Sequence, residues 1–308
     1  MQKSLVTSYI NPDLDGTSCV VAYAELLKET GVEAVAGLFG EPNMEVEFMM
    51  EYLKEQMPPI IPNAHGYDRI YLMDISEPHP LENRVPLDRV VELIDHRKAN
   101  EKEKFPNAKA QVELVGAAAT LVAERFEKAG RKPSKFSSAL LYGAILSNTL
   151  NFKNPITTDR DRKEAGWLRE ISGLPEDFWQ DLYAAKSELS GAKLRHAIES
   201  DANYWHFKNE GIMIGQLEIM GVGKLLEGRE SEILEVIGEL KKKCRVEHGI
   251  LNALDVGEER SFVVAGDPVT RKLCERALDV KFAGNVAVRS GLFLRKQIVP
   301  KLKEALGG

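Results

Sequence analysis

Short apolar runs alternate with longer amphipathic stretches through the first half of the chain. Residues 4–10 read as a strand, 17–30 as a helix closed by Gly31, 33–39 as a strand and 44–56 as a helix. Residues 69–73 and 90–94 are further short apolar runs with polar flanks. The stretches GAAATLVAERFEKAG from Gly116 and SSALLYGAILSNTL from Ser137 then have helical periodicity. Strands alternating with helices predict parallel βαβ units with helices on both faces, and such sheets carry their ligand groups just past the carboxyl ends of the strands. The pattern changes near residue 190. The polar stretch SELSGAKL precedes YWHFKNEGIMIGQLEIM, in which Asn209, Glu210 and Gly211 read as a hairpin turn. A helix at 228–243, strands in GILNALDV and RSFVVAGD, a helix at 268–278 and a final amphipathic run follow. The prediction is an α/β domain with a parallel sheet over residues 1–188 and a smaller α+β domain over 196–308, joined by a linker within about 187–196.

Bulk properties change this picture only by exclusion. A chain of 308 residues is long enough for two domains. No apolar run approaches the length of a membrane span, and the opening residues turn polar too soon for a signal peptide, so a cytoplasmic protein without a membrane role is expected. Cys19, Cys244 and Cys274 are widely spaced and form no CxxC pair, which points to structural thiols. A net charge of -6 argues against binding dominated by nucleic-acid phosphates.

The acidic residues fall at telling places. Asp13 and Asp15 follow the first strand, Asp74 ends RIYLMD, and Asp95 with His96 ends VVELIDHR. Three predicted strands therefore end in groups able to hold a cation. Each also has a plainer explanation, since Asp before a helix is a common N-cap and a lone His is often a structural hydrogen-bonding residue. His79, five residues after Asp74 in DISEPHP, is a further nitrogen donor near Asp74 in sequence.

Taken together, NPDLDG, LMD, IDHR, ILSNTLNFKNPITT and RKQIVPKL resemble the DHH phosphoesterase superfamily, and within it the branch with a DHHA2-type second domain that includes family II inorganic pyrophosphatases and exopolyphosphatases. The resemblance runs nearly end to end. It implies that Asp13, Asp15, Asp74 and His96 are metal ligands, with Asp74 bridging two ions and Asn148 standing where the family completes one ion's shell with an aspartate. Asp15, Asp74 and His96 would form the catalytic group. Tyr9 stands where the family has a ligand histidine, Arg97 replaces the second histidine of the DHH motif, and Leu294 stands where a leading arginine is expected. Asn203 aligns loosely with a family lysine. Arg97, Lys98, Arg295 and Lys296, with Arg289 near them in sequence, would line a phosphate site, metals on one domain and phosphate contacts on the other implying a cleft that closes on the ligand.

Carboxylate and imidazole donors suit Mn²⁺ or Mg²⁺, and a pair of such ions activates water at neutral pH. The expected function is thus a metal-dependent phosphohydrolase that cleaves pyrophosphate, short polyphosphate or a small phosphoester. The four departures point away from an efficient pyrophosphatase. The alternative is a catalytically impaired protein of the same fold that binds a phosphorylated ligand. A homodimer is implied by the resemblance alone.

Overall fold

A computed structural model describes residues 2–97, 101–208 and 210–307. The chain divides into two compact units, Met1–Ala185 and Lys186–Gly308. The first holds a five-stranded sheet of β1 (Ser4–Thr7), β2 (Ala34–Ala36), β3 (Arg69–Met73), β4 (Val90–Asp95) and β5 (Lys109–Val112). Its order is β2-β1-β3-β4-β5, and every pair is parallel. Strands β1, β3 and β4, whose ends carry the acidic motifs, are therefore neighbours.

The helices of this unit are α1 (Leu14–Glu29), α2 (Met44–Leu53), α3 (Ala118–Lys128), α4 (Lys135–Asn148), α5 (Asp159–Ser172) and α6 (Phe178–Lys186). Helix α1 begins where Asp13 accepts the Gly16 N–H at 3.0 Å, an N-cap worth about 1 kcal/mol. Residues of all six helices join one core with Val6, Tyr71, Met73 and Ile94. The opposite face of the sheet is covered differently from the expectation of helices on both sides. There Leu5, Ile70, Leu72 and Leu93 pack against Phe39, Ala64, Leu81, Val85 and Phe105. The covering chain carries Pro58, Pro59, Pro62, Pro78, Pro80 and Pro86, which bar a regular helix. It crosses the face as irregular backbone with short 3₁₀ turns at His79–Leu81 and Leu87–Arg89.

The second unit contains α7 (Lys193–Asp201), β6 (Asn203–Phe207), β7 (Glu210–Ile219), α8 (Val222–Cys244), β8 (His248–Asp255), β9 (Arg260–Val264), α9 (Pro268–Leu278), β10 (Phe282–Ala283), β11 (Val286–Ser290) and α10 (Arg295–Ala305). Its mixed sheet has the order β10-β11-β9-β8-β7-β6, with β7 and β8 the parallel pair. Strands β6 and β7 form the expected hairpin, yet Phe207 pairs with Glu210, so Glu210 and Gly211 lie in the strand and the turn precedes them. Asn209 lies outside the described residues. The segment expected as linker includes the first turn of α7.

Candidate metal centre

Asp15 sits in the first turn of α1 and is 1% exposed. Its carboxylate is fixed from several sides. Oδ2 accepts the Ala118 N–H at 2.7 Å and the Asn148 Nδ2–H at 2.7 Å, while Oδ1 accepts the Ala119 N–H at 2.8 Å and a weak Cys19 S–H contact at 3.7 Å. The amides come from the start of α3, where a helix leaves its N–H groups without internal partners and favours negative charge. Their use by Asp15 explains the GAAAT sequence. Gly116 completes the turn by donating to both oxygens of Asp161, and a Cβ there would lie 2.5 Å from Thr149 Cγ2. The helix start is thus occupied by protein carboxylates.

Asp74 follows β3 with a φ of 57°, a left-handed conformation that is uncommon and strained for a residue with a side chain. Its N–H still donates to Ile94 O at 2.8 Å, which extends the β3–β4 ladder by one bond. The side chain is 1% exposed, and neither carboxylate oxygen has a hydrogen bond. A buried carboxylate without a donor is costly, so the chain holds two acceptor oxygens in want of a cation. Burial, above all, pushes both neighbouring carboxyls upward. Asp15 rises to about 6 and Asp74 well above the ordinary carboxylate range, with Arg97 and His96 opposing the rise.

His96 closes the group. Its Nδ1 lies 3.0 Å from Val115 O, which takes a hydrogen bond only if Nδ1 carries the proton, leaving the Nε2 lone pair free. Nε2 lies 3.7 Å from Asp15 Oδ2 and 3.5 Å from Asp74 Oδ1. The three ligand atoms lie within 4.8 Å of one another, the spacing of groups that share an ion. Asp95 holds this corner in shape. Its carboxylate accepts the Ser76 hydroxyl and the backbone N–H groups of His96 at 2.7 Å and Arg97 at 3.3 Å. The orphaned Asp74 oxygens, the lone pair of His96 and the mixed O, O, N donor set all fit Mn²⁺.

The other expected site residues take varied positions. Asp13 caps α1 and is outside the three-residue group, acting on Asp74 and Arg97 through its charge. Asn148 turns its amide N–H₂ to Asp15. It is placed there by a turn in which Leu150, Asn151 and Phe152 are all left-handed, with Asn154 Nδ2 donating to the Asn148 carbonyl at 3.0 Å. Arg97 Nη2 lies 3.6 Å from Asp74 Oδ2, and the guanidinium sits 5.5 Å from the centre of the Tyr9 ring. Tyr9 accepts the Asp13 N–H at 3.2 Å, and burial with the charges of Asp13 and Asp74 keeps its phenol protonated. His79 is exposed and outside the group. Lys98 lies outside the described residues.

In the second unit Arg295 donates to Asp201 Oδ2 at 2.6 Å, and its backbone N–H donates to Gln216 at 2.6 Å. Lys296 is exposed, and partial desolvation lowers its pKa. Arg289 lies over the Phe293 ring at 4.1 Å and donates to Leu278 O, which makes it a packing residue. Leu294 is buried at the N-cap of α10. Sequence reasoning did not find Asp161, the buried carboxylate that secures Gly116 and Thr120, although Thr158 with Asp161 is a legible capping box.

A parallel sheet whose neighbouring strands end in two buried carboxylates and an imidazole, followed by a mixed-sheet unit, defines a two-domain phosphoesterase. The DHHA2 domain profile matches residues 180–305. Proteins of Bacillus pumilus and Bacillus cereus, each named "Probable manganese-dependent inorganic pyrophosphatase", are 30% identical over 99% of this chain and cover 100% and 99% of their own lengths. A Methanococcus jannaschii structure described as a "putative family II inorganic pyrophosphatase" superposes with a TM-score of 0.77 at 28% identity, over 99% of this chain and all of that one. An exopolyphosphatase-related protein of Bacteroides fragilis shares the fold, with a TM-score of 0.54 at 12% identity over 99% of this chain and 92% of its own. The chain belongs to the family II inorganic pyrophosphatases of the DHH superfamily, which are metal-dependent phosphohydrolases.

Proposed function

We propose that this protein hydrolyses inorganic pyrophosphate with manganese as its preferred ion, held by Asp15, Asp74 and His96. The observation that carries this reading is the Asp74 carboxylate, buried, conformationally strained and without a single hydrogen bond beside the free Nε2 of His96. Strain of this kind persists where the surrounding structure enforces a functional geometry. A divalent ion bound there supplies Lewis acidity and a nucleophile at neutral pH. The chain's own groups do the rest. The α3 amides and Asn148 fix Asp15, Asp95 fixes the backbone of His96 and Arg97, and Val115 sets the His96 tautomer.

Arg97, with its side chain 40% exposed, has guanidinium N–H groups left for a phosphate oxygen of the substrate. In the second unit Arg295 is turned to Asp201 and acts by positioning the start of α10. Pyrophosphate is preferred over polyphosphate because the relatives that match along the whole chain are named for it. Those names also give no support to a purely binding role. Phosphate release from pyrophosphate, tripolyphosphate, longer polyphosphate and an aryl phosphoester, each with Mn²⁺, Mg²⁺ or chelator, tests the reading. Mn²⁺-dependent release that is fastest from pyrophosphate is expected; release from the phosphoester alone, or none from any, refutes it.

A further inference from the structure

The open ligand atoms of the site can be counted oxygen by oxygen. Asp15 Oδ1 is taken by the Ala119 amide and Cys19. Asp15 Oδ2 is shared with the Ala118 amide and Asn148 but faces His96 Nε2. Asp74 Oδ1 also faces His96 Nε2, while Asp74 Oδ2 faces Arg97. Among the described residues, the donors grouped closely enough to share an ion are Asp15 Oδ2, Asp74 Oδ1 and His96 Nε2. At the remaining oxygen of Asp74 stands a permanent cation.

We propose that the Arg97 guanidinium replaces a second metal ion, so that each chain binds one Mn²⁺ where the resemblance implies two. This rests on the reading of the Asp15–Asp74–His96 group as a metal centre. One further feature agrees with it. Tyr9, on the Arg97 side, offers an aromatic face and a protonated phenol, which hold a guanidinium well and a divalent ion poorly. A second ion on Asp74 Oδ2 would have to bind at about 2.1 Å. That places it against a guanidinium nitrogen now 3.6 Å from the same oxygen.

The consequence is a centre whose second positive charge cannot be removed by chelators. A guanidinium presents planar N–H donors to a phosphate and cannot activate water, so the two cations of this site have different jobs.

The test is a Mn²⁺ titration of the chelator-treated full chain, with free Mn²⁺ followed by its electron paramagnetic resonance signal. Wild type is expected to bind one tight equivalent with an uncoupled mononuclear spectrum. Arg97→Ala should bind two, with the spectrum of a coupled pair, and Arg97→Lys should stay at one because the charge is kept. Circular dichroism checks that the variants fold, and the wild-type count is decisive even if they do not. Two tight equivalents in wild type, or one in Arg97→Ala, overturns the proposal while leaving the metal centre standing. No tight binding by wild type overturns the metal centre itself.

Discussion

Replacing Asn148 with aspartate makes the chain more like its family at that position, yet it should destabilise the metal-free protein. Asn148 Nδ2 donates to Asp15 Oδ2 at 2.7 Å. The Asn148→Asp change removes a hydrogen bond to a charged group, about 2 kcal/mol, and sets two carboxylates against each other. Two like charges about 4 Å apart repel by roughly 4 kcal/mol at an effective dielectric of 20. Part of this is escaped by protonation, because Asp15 is already pushed up to about 6 by burial. A carboxyl whose folded pKa is raised binds its proton more tightly folded than unfolded. Stability therefore falls as pH climbs from about 4 to the folded value, then levels off. For Asp15 in wild type that fall is about 3 kcal/mol, and the variant should extend it in size and to higher pH.

Thermal melts at pH 5 and pH 8, in chelator and in Mn²⁺, measure the effect. In chelator at pH 8 the variant should melt roughly 10 °C below wild type, at about 2–4 °C per kcal/mol for a unit of this size. The gap should shrink at pH 5 and close or reverse in Mn²⁺. A variant as stable as wild type at pH 8 in chelator would show that the Asn148 amide does not face Asp15, and would refute the reasoning.

Tyr9→Phe removes only the phenol that accepts the Asp13 N–H, so Mn²⁺ affinity should change less than threefold by titration; a tenfold loss would make Tyr9 a ligand. Asp95→Asn weakens the grip on Ser76 and the His96 and Arg97 amides, and should cost 10- to 100-fold in Mn²⁺ affinity, so that Mn²⁺ raises its melting temperature less than that of wild type. Asp161→Ala leaves the Gly116 amide and Thr120 hydroxyl buried without their partner, and should lower stability by about 3 kcal/mol in urea melts.

Much of the fold was legible where local chemistry and tertiary environment agree. Strands β1, β3 and β4 are buried apolar runs, and Pro268 at the first position of α9 behind Asp267 is a strong start signal. Strand β5 escaped notice because KAQV is an edge strand with two exposed and two half-buried residues, and its pattern is that of a polar loop. Strand β10 is a two-residue edge element, and β11 beside it buries one residue in five, so neither has the pattern of a buried strand. Single-sided helix packing was not legible either, since the period of a helix says that it has an apolar face and not which face of the sheet receives it. In the site, the sequence placed Asp15, Asp74 and His96 at strand ends. The N-cap role of Asp13 was one of the two readings its position allowed, but the sequence could not show that Arg97 and Tyr9 meet beside Asp74, because that depends on side-chain directions set by residues far apart in the chain.

The most direct test is the rate of phosphate release from pyrophosphate in Mn²⁺ for wild type beside Asp74→Ala. Wild type should turn over and the variant should lose at least a thousandfold in kcat while keeping the wild-type circular dichroism spectrum. A folded Asp74→Ala protein that hydrolyses pyrophosphate at the wild-type rate would contradict the assignment of the buried Asp15–Asp74–His96 group as the catalytic centre.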